Sequence, residues 1–361
     1  MEQQQIINQL MTVLQSDSLS DDEFNQNALQ LFAYQYTNNL PFRKFCQQKG
    51  KTIRTVKSWK DIPAVPINAF KEVALTCTPP EQAERYFMTS GTTQGVKGKH
   101  YHPTLQVWNL SMKTNFKQRF MKETEKIRMG ILFPTEDEMP NSSLARYLAL
   151  AKQEFGTEES HYLLGENGIN LERLIQELEH AERSGEPYAL LGASFSFVHL
   201  FEGLENIGRS FQLPDGSKIL DTGGFKNQSK EWELDDFYHE LSSILGVPRK
   251  DCINMYGMTE LSSQLYDAGN EQVPSVKSGP HWLKTRIINP LTGEEVSEGE
   301  RGVIVHCDLA NYNSVSTILT EDLGMKVGEG FLLLGRVQGT EAKGCSLAVE
   351  EFIKAATEPV R

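Results

Sequence analysis

Thr89-Ser90-Gly91-Thr92-Thr93-Gln94-Gly95-Val96-Lys97-Gly98-Lys99-His100 is the stretch from which the rest of the chain is read. Its glycines admit positive φ and can turn backbone N–H groups inward as an anion-binding nest. Thr89, Ser90, Thr92 and Thr93 add neutral hydroxyl donors, and Lys97 adds a mobile positive charge suited to a polyphosphate. The GxxxxGK[ST] spacing of the common nucleoside-triphosphate loop is absent. A surface loop of small polar residues is the plain alternative for this composition.

Working outward, Arg85–Met88 reads as a short strand entering the loop, and Val107–Phe120 as a helix beyond it. Ser20 with Glu23 forms a capping-box pattern, and Phe24, Ala28, Phe32 and Tyr36 continue it at helical spacing. Further along, Ile127–Phe133 and Tyr188–Leu191 are strand-like apolar runs. A helix is expected near Leu144–Phe155, and Leu171, Leu174, Ile175 and Leu178 mark an amphipathic one. Short apolar strands alternating with helices predict βα units and a largely parallel sheet. After Glu260 the texture changes: Trp282–Ile288, the turn Asn289-Pro290-Leu291-Thr292-Gly293 and Gly302–His306 read as a β-hairpin or small barrel element. The expected fold class is α/β with a small antiparallel β portion late in the chain.

Three more segments carry chemistry. Asp221-Thr222-Gly223-Gly224-Phe225-Lys226 carries a glycine pair that, taken alone, reads as a simple Gly–Gly turn. Tyr256-Gly257-Met258-Thr259-Glu260 joins an aromatic face suited to a purine with a hard carboxylate suited to Mg²⁺. Thr320-Glu321-Asp322-Leu323-Gly324 precedes Gly330–Arg336; Asp322 can accept two hydrogen bonds from a vicinal diol and Arg336 can donate several, and a surface salt bridge is the bland alternative.

In this order the four segments resemble those of the adenylate-forming (AMP-binding) superfamily, over roughly Tyr86 to Phe352. The loop is similar to its TSGTTGxPKG phosphate loop, departing at Gln94, Gly95 and Val96. The resemblance implies the fold of the large N-terminal domain over residues 1–336 and ATP and Mg²⁺ as cofactors. It implies a phosphate-binding role for Thr89, Ser90, Gly91, Thr92, Thr93, Gly95 and Lys97. Gly223 and Gly224 would face adenine and Tyr256, with Gly257, would pack on it. Thr259 would contact the α-phosphate, Glu260 would hold the metal, and Asp322 with Arg336 would hold the ribose hydroxyls. Lys97, Thr259 and Glu260 are the expected catalytic set at the phosphates.

Superfamily members typically continue past the arginine into a mobile domain with a catalytic lysine. Here residues 337–361 form a short C-terminal segment, in which Lys343 or Lys354 are the lysines on offer. The shortened architecture, with TSGTTQGVKGKH, DTGGFK and a late Lys343-Gly344-Cys345, resembles the acyl-protein synthetases of bacterial bioluminescence. That resemblance implies ATP-dependent activation of a carboxylic acid, of the fatty class, as acyl-AMP with release of pyrophosphate. It further implies Cys345 as the catalytic acyl acceptor and delivery to a partner acyl reductase. A thiolate is a competent nucleophile toward a mixed anhydride, and Lys343 is expected to favour it by lowering the thiol pKa. Small apolar filling is the ordinary fate of a free cysteine. A compact ligase acting on CoA or a carrier protein, and a nucleotide-binding protein without catalysis, are the competing readings. Gly192-Ala193-Ser194-Phe195-Ser196-Phe197 is a candidate acyl-pocket wall or simply a helix start in the core. His100 and Tyr101 are candidate substrate contacts, and His102 is expected to be exposed.

Bulk properties lead to the expectation of a soluble cytoplasmic protein. The chain has 361 residues, 39% hydrophobic and 23% charged, with a net charge of −12, which argues against a nucleic-acid surface. No apolar run approaches the about 20 residues of a membrane helix, and the polar N-terminus lacks a signal-peptide pattern. Five scattered cysteines suit reduced thiols, and no CxxC or HExxH suggests zinc.

Overall fold

The computed structural model describes residues 2–90, 96–165, 168–224 and 232–357. The chain divides into two units: Met1–Thr114, Met258–Gln264 and Ser278–Arg361 form the first, Asn115–Gly257 and Leu265–Lys277 the second.

The second unit is the βα portion. Its strands run in the spatial order Leu265–Tyr266, Cys252–Tyr256, Lys218–Thr222, Tyr188–Ala193, Arg128–Leu132 and His161–Tyr162. All neighbours pair in parallel except the first two, which are antiparallel. Tyr188–Ala193 is buried at every position, as a strand covered on both faces must be. Helices Leu171–Ser184, Ser194–Asn206 and Leu234–Leu245 cover it with Leu174, Leu178, Phe197, Phe201, Phe237 and Leu241, among others. Full burial of each such side chain is worth roughly 1.5–3 kcal/mol. Gly185 and Gly246 end two of these helices at φ +74° and +67°, where a β-carbon would be strained.

The first unit carries the antiparallel portion, with strands Gly330–Arg336, Thr317–Val327, Arg301–Asp308 and Leu283–Ile288 in that order. The expected hairpin of Trp282–Ile288 with Gly302–His306 is there, with Ile287 opposite Ile304. Val65–Pro66 adds in parallel to Thr317–Val327. Ser20 caps the Asp21–Asn38 helix through the expected box with Glu23. Arg85–Met88 and Lys99–His102 form an antiparallel hairpin whose connection is the phosphate-loop candidate. The helix expected over Val107–Phe120 spans Gln106–Phe116 and widens into a π-helical turn over Lys117–Met121, the turn belonging to the second unit. The C-terminal segment is the helix Gly339–Thr357. Phe352 packs on Phe45, ring centroids 5.0 Å apart, and Lys49 pairs with Glu351 at 2.6 Å.

Candidate active site

In the first unit the loop's neck is closed by two hydrogen bonds. Thr89 N–H donates to the Gly98 carbonyl at 3.1 Å, and Gly98 N–H donates to Thr89 Oγ1 at 3.1 Å. The Thr89 side chain is therefore committed to loop closure. Ser90, Val96 and Lys97 are exposed. Gly91, Thr92, Thr93, Gln94 and Gly95 lie outside the described residues. A methyl group on Gly98 would meet Glu260 Oε1 at 3.4 Å and Phe70 Cβ at 3.5 Å, so the neck lies directly on the carboxylate.

Thr259 and Glu260 sit in a turn held at successive backbone groups. Only a donor can meet the Thr259 carbonyl, so His100 presents Nδ1–H to it, at 3.0 Å. Asn311 Nδ2 donates to the Glu260 carbonyl at 2.8 Å, and its Oδ1 accepts from Ser262 N–H at 2.7 Å. Asp308 accepts the N–H groups of Ser262 and Ser263 at 3.0 and 2.9 Å. Asn311 and Asp308 carry no sequence signal, and His100, a candidate substrate contact by its place after the loop, instead holds backbone far away in the chain.

Burial shapes the electrostatics here. Glu260 is 4% exposed, and loss of water pushes its carboxyl up to about 7, against a backbone hydrogen bond and the charges of Lys71 and Arg336. Desolvation likewise brings His100 down to about 4, so the ring is neutral at pH 7. His102, expected at the surface, is instead 3% exposed and packs on Phe87, with ring centroids 5.1 Å apart. The strand alternation that turns Tyr101 outward sends both histidines inward. His100 reaches backbone and not open solvent.

Asp322 and Arg336 face each other across paired strands, Arg336 Nε lying 3.3 Å from Asp322 Oδ1 and Nη1 4.0 Å from Glu321. Cys345 is elsewhere in the same unit, on the Gly339–Thr357 helix, 3% exposed among Ile288, Val303, Val305 and Leu319. Its thiol donates to the Thr320 carbonyl at 3.8 Å. Burial raises the thiol to about 11, with Glu321 and Glu341 adding to the shift. The expected lowering by Lys343 is thus overturned: the surroundings that count are apolar and acidic.

In the second unit two motifs end adjacent parallel strands, with Thr222 opposite Met255. Gly223–Gly224 and Tyr256–Gly257 follow at the carboxyl ends of those strands, where open α/β sheets bind ligands. Gly223 has φ +85°, and both glycines are exposed with nothing within 4 Å of an added β-carbon. Tyr256 is 8% exposed and Gly257 is exposed. Asp221 anchors the turn, accepting from Ser194 Oγ at 2.7 Å, Asn254 Nδ2 at 2.8 Å and Tyr238 Oη at 2.9 Å. Ser194 opens a helix in the core and Phe197 is buried in it, so the helix-start reading of Gly192–Phe197 is the one observed. Phe225 and Lys226 lie outside the described residues.

No group of three His, Cys, Asp or Glu residues able to hold a metal occurs among the described residues, and none of their helices is long and apolar enough to cross a membrane. A lone buried carboxylate nevertheless suits Mg²⁺, which is commonly held by one or two carboxylates with substrate phosphates completing its shell.

Solved structures show the same fold. An open conformation of 2-hydroxyisobutyryl-CoA ligase, in complex with 2-HIB-AMP and CoA, superposes with TM-score 0.66 at 15% identity, covering 88% of this chain and 74% of that one. ATP-bound MatB from Rhodopseudomonas palustris superposes with TM-score 0.50 at 16% identity, over 72% of this chain and 49% of that one. The fold is therefore that of adenylate-forming enzymes. Among curated relatives, the long-chain-fatty-acid–luciferin-component ligase of Vibrio harveyi is 22% identical over 91% of this chain and 87% of its own length. Its namesake from Aliivibrio fischeri is 22% identical over 90% and 86%. The family described as acyl-protein synthetase, LuxE, matches residues 4–354, and the chain belongs to that family.

Proposed function

We propose that the protein activates a long-chain fatty acid with ATP, forming acyl-AMP and pyrophosphate, and then carries the acyl group as a thioester on Cys345. The family match over residues 4–354 carries this reading. The backbone-held Glu260 turn beneath the loop neck supports it. The curated relatives' name supplies the acid class.

In this reading the loop with Lys97 binds the triphosphate, and Thr259 meets the α-phosphate. Asp322 and Arg336 hold the ribose, while Gly223, Gly224 and Tyr256 contact adenine. Mg²⁺ held by Glu260 would supply positive charge to the phosphates during displacement. A carboxylate oxygen attacks the α-phosphorus and pyrophosphate departs with the electron pair of the broken bond. In the second step the Cys345 thiolate attacks the acyl carbon and AMP leaves. A cysteine that is 3% exposed cannot meet the anhydride where it lies, so transfer requires its helix to part from the strand below. A partner acyl reductase is the proposed recipient of the thioester.

The burial of Cys345 also favours a second reading, in which CoA or a carrier protein takes the acyl group directly. Incubation with ATP, Mg²⁺, CoA and radiolabelled hexadecanoic acid separates the two. Hydroxylamine-labile label on the wild type and none on Cys345→Ser is expected. Label that persists on Cys345→Ser removes Cys345 as acceptor, and soluble acyl-CoA without protein label establishes the second reading.

A further inference from the structure

The segment ahead of the phosphate loop carries a lysine that no motif marks. Val65–Pro66 pairs in parallel with Ile318–Leu319, and Ile67 N–H donates to the Leu319 carbonyl at 2.9 Å. This docking carries the following residues along the strand toward Glu321 and Asp322. Asn68 Nδ2 donates to Glu321 Oε1, and Lys71 Nζ donates to Asn68 Oδ1 at 2.7 Å. Glu321 is in turn 4.0 Å from Arg336, which pairs with Asp322. Phe70, between Asn68 and Lys71, reaches the loop neck at Gly98, the same glycine that Glu260 faces. Phe70 also meets the His100 ring edge-on at a centroid distance of 5.9 Å. Lys71 is thus tied through Asn68 to Glu321, and its neighbour Phe70 packs on the loop neck that Glu260 faces, all in the first unit.

Charge makes the placement meaningful. Glu260, Glu321 and Asp322 bring three carboxylates to a region read as holding the ribose and phosphates of ATP. Arg336 is shared between Asp322 and Glu321. A neutral amide oxygen holds Lys71 without cancelling its charge, and an ammonium has three N–H donors. Among the charges acting on Glu260, Lys71 ranks ahead of Arg336, which agrees with the geometry.

We propose that Lys71 is a catalytic residue of adenylate formation, its ammonium contacting the α-phosphate and attacking carboxylate oxygens as negative charge gathers there. The proposal rests on the acyl-AMP reading above. One bond forms, from the carboxylate oxygen to the α-phosphorus, and one breaks, from the α-phosphorus to the oxygen bridging it to the β-phosphorus. That oxygen keeps the electron pair and leaves as part of pyrophosphate. No proton is transferred, so Lys71 stays an ammonium throughout and acts only by charge. Asn68 is its positioning residue.

The experiment compares Lys71→Met and Lys71→Arg with the wild type in hexadecanoate-dependent ATP–pyrophosphate exchange and in protein acylation from preformed hexadecanoyl-AMP. Melting temperature and ATP Kd are recorded alongside. Lys71→Met is expected to lose about 100-fold or more in exchange kcat. Its acylation from preformed hexadecanoyl-AMP should fall clearly less than its exchange, because the α-phosphorus is no longer under attack in that step; its melting temperature should match wild type, and Lys71→Arg should recover part of the exchange. Exchange by Lys71→Met within about threefold of wild type overturns the proposal. So do equal losses in exchange and acylation, which would mark a merely structural role. A wild type that exchanges with no acid would defeat the acyl-AMP reading itself, and the Lys71 proposal with it.

Discussion

Glu260 and Cys345 are both acids buried in the same unit, and both are pushed toward their neutral forms by loss of water. The neighbours differ. Glu260 has the cations Lys71 and Arg336 pulling against burial, each more strongly than the anion Asp322 adds to it, whereas Cys345 has only the anions Glu321 and Glu341, both adding to it. The supports differ too: the Glu260 turn is fixed by His100, Asn311 and Asp308, while Cys345 rides on a helix held through its own side chains. A carboxylate kept dry and near cations is ready to become charged when another cation arrives. A thiol kept dry and near anions is held inert until its surroundings change. One region is preorganised for its charge and the other is guarded against it.

The largest expected effect comes from removing the first of these charges. Glu260→Gln should lower ATP–pyrophosphate exchange by about 10²–10³-fold, the scale of losing one preorganised electrostatic group. The same variant should gain stability relative to wild type as pH rises. With a folded pKa near 7, above the unfolded value of 4.5, the folded state binds the extra proton between those limits. Wild-type stability therefore falls through that window and levels off above it, by about 3 kcal/mol at most. Melting curves from pH 4 to pH 8 check this, and a wild-type–Gln difference independent of pH would contradict it.

Next comes the guard on the thiol. Phe352→Ala removes a fully buried ring that fixes the Gly339–Thr357 helix to Phe45, at a cost of about 3–5 kcal/mol. If the helix must part to expose Cys345, iodoacetamide labelling of that cysteine should speed up at least about tenfold. An unchanged rate in a destabilised variant would show that exposure takes another route. The smallest effect belongs to the neighbouring charge. Glu341→Gln should lower the Cys345 thiol pKa and raise labelling at pH 8 by a few-fold, with little change in stability. Slower labelling would reverse the sign argued for that carboxylate.

The contrast also explains what the sequence made legible. The loop neck, the Thr259–Glu260 turn and the Asp322–Arg336 pair lie in short motifs, and the order of these with the Asp221–Lys226 segment indicated the fold. The β-hairpin late in the chain was equally readable, because alternation and a turn at Asn289–Gly293 are local signals. The burial of Cys345 was not. Gly344 lies so close to the Asn289–Gly293 turn that a methyl group there would meet Pro290 Cβ at 2.9 Å, a contact between residues far apart in sequence. Reading Lys343 as an activator followed the chain and missed that packing. His102 failed for the same reason: a histidine beside a polar loop reads as exposed until the strand's inward face is known. Lys71 sits on a four-residue helix with no pattern of its own, and only the strand it docks on gives it a place.

The most direct test of the central claim is acid-dependent exchange of radiolabelled pyrophosphate into ATP by the wild-type protein, run beside Glu260→Gln over a panel of fatty and aryl acids. Exchange is expected to require a long-chain fatty acid and Mg²⁺ and to fall at least about 100-fold in the Gln variant. Exchange absent with every acid, despite measurable ATP binding, would contradict acyl-AMP formation outright.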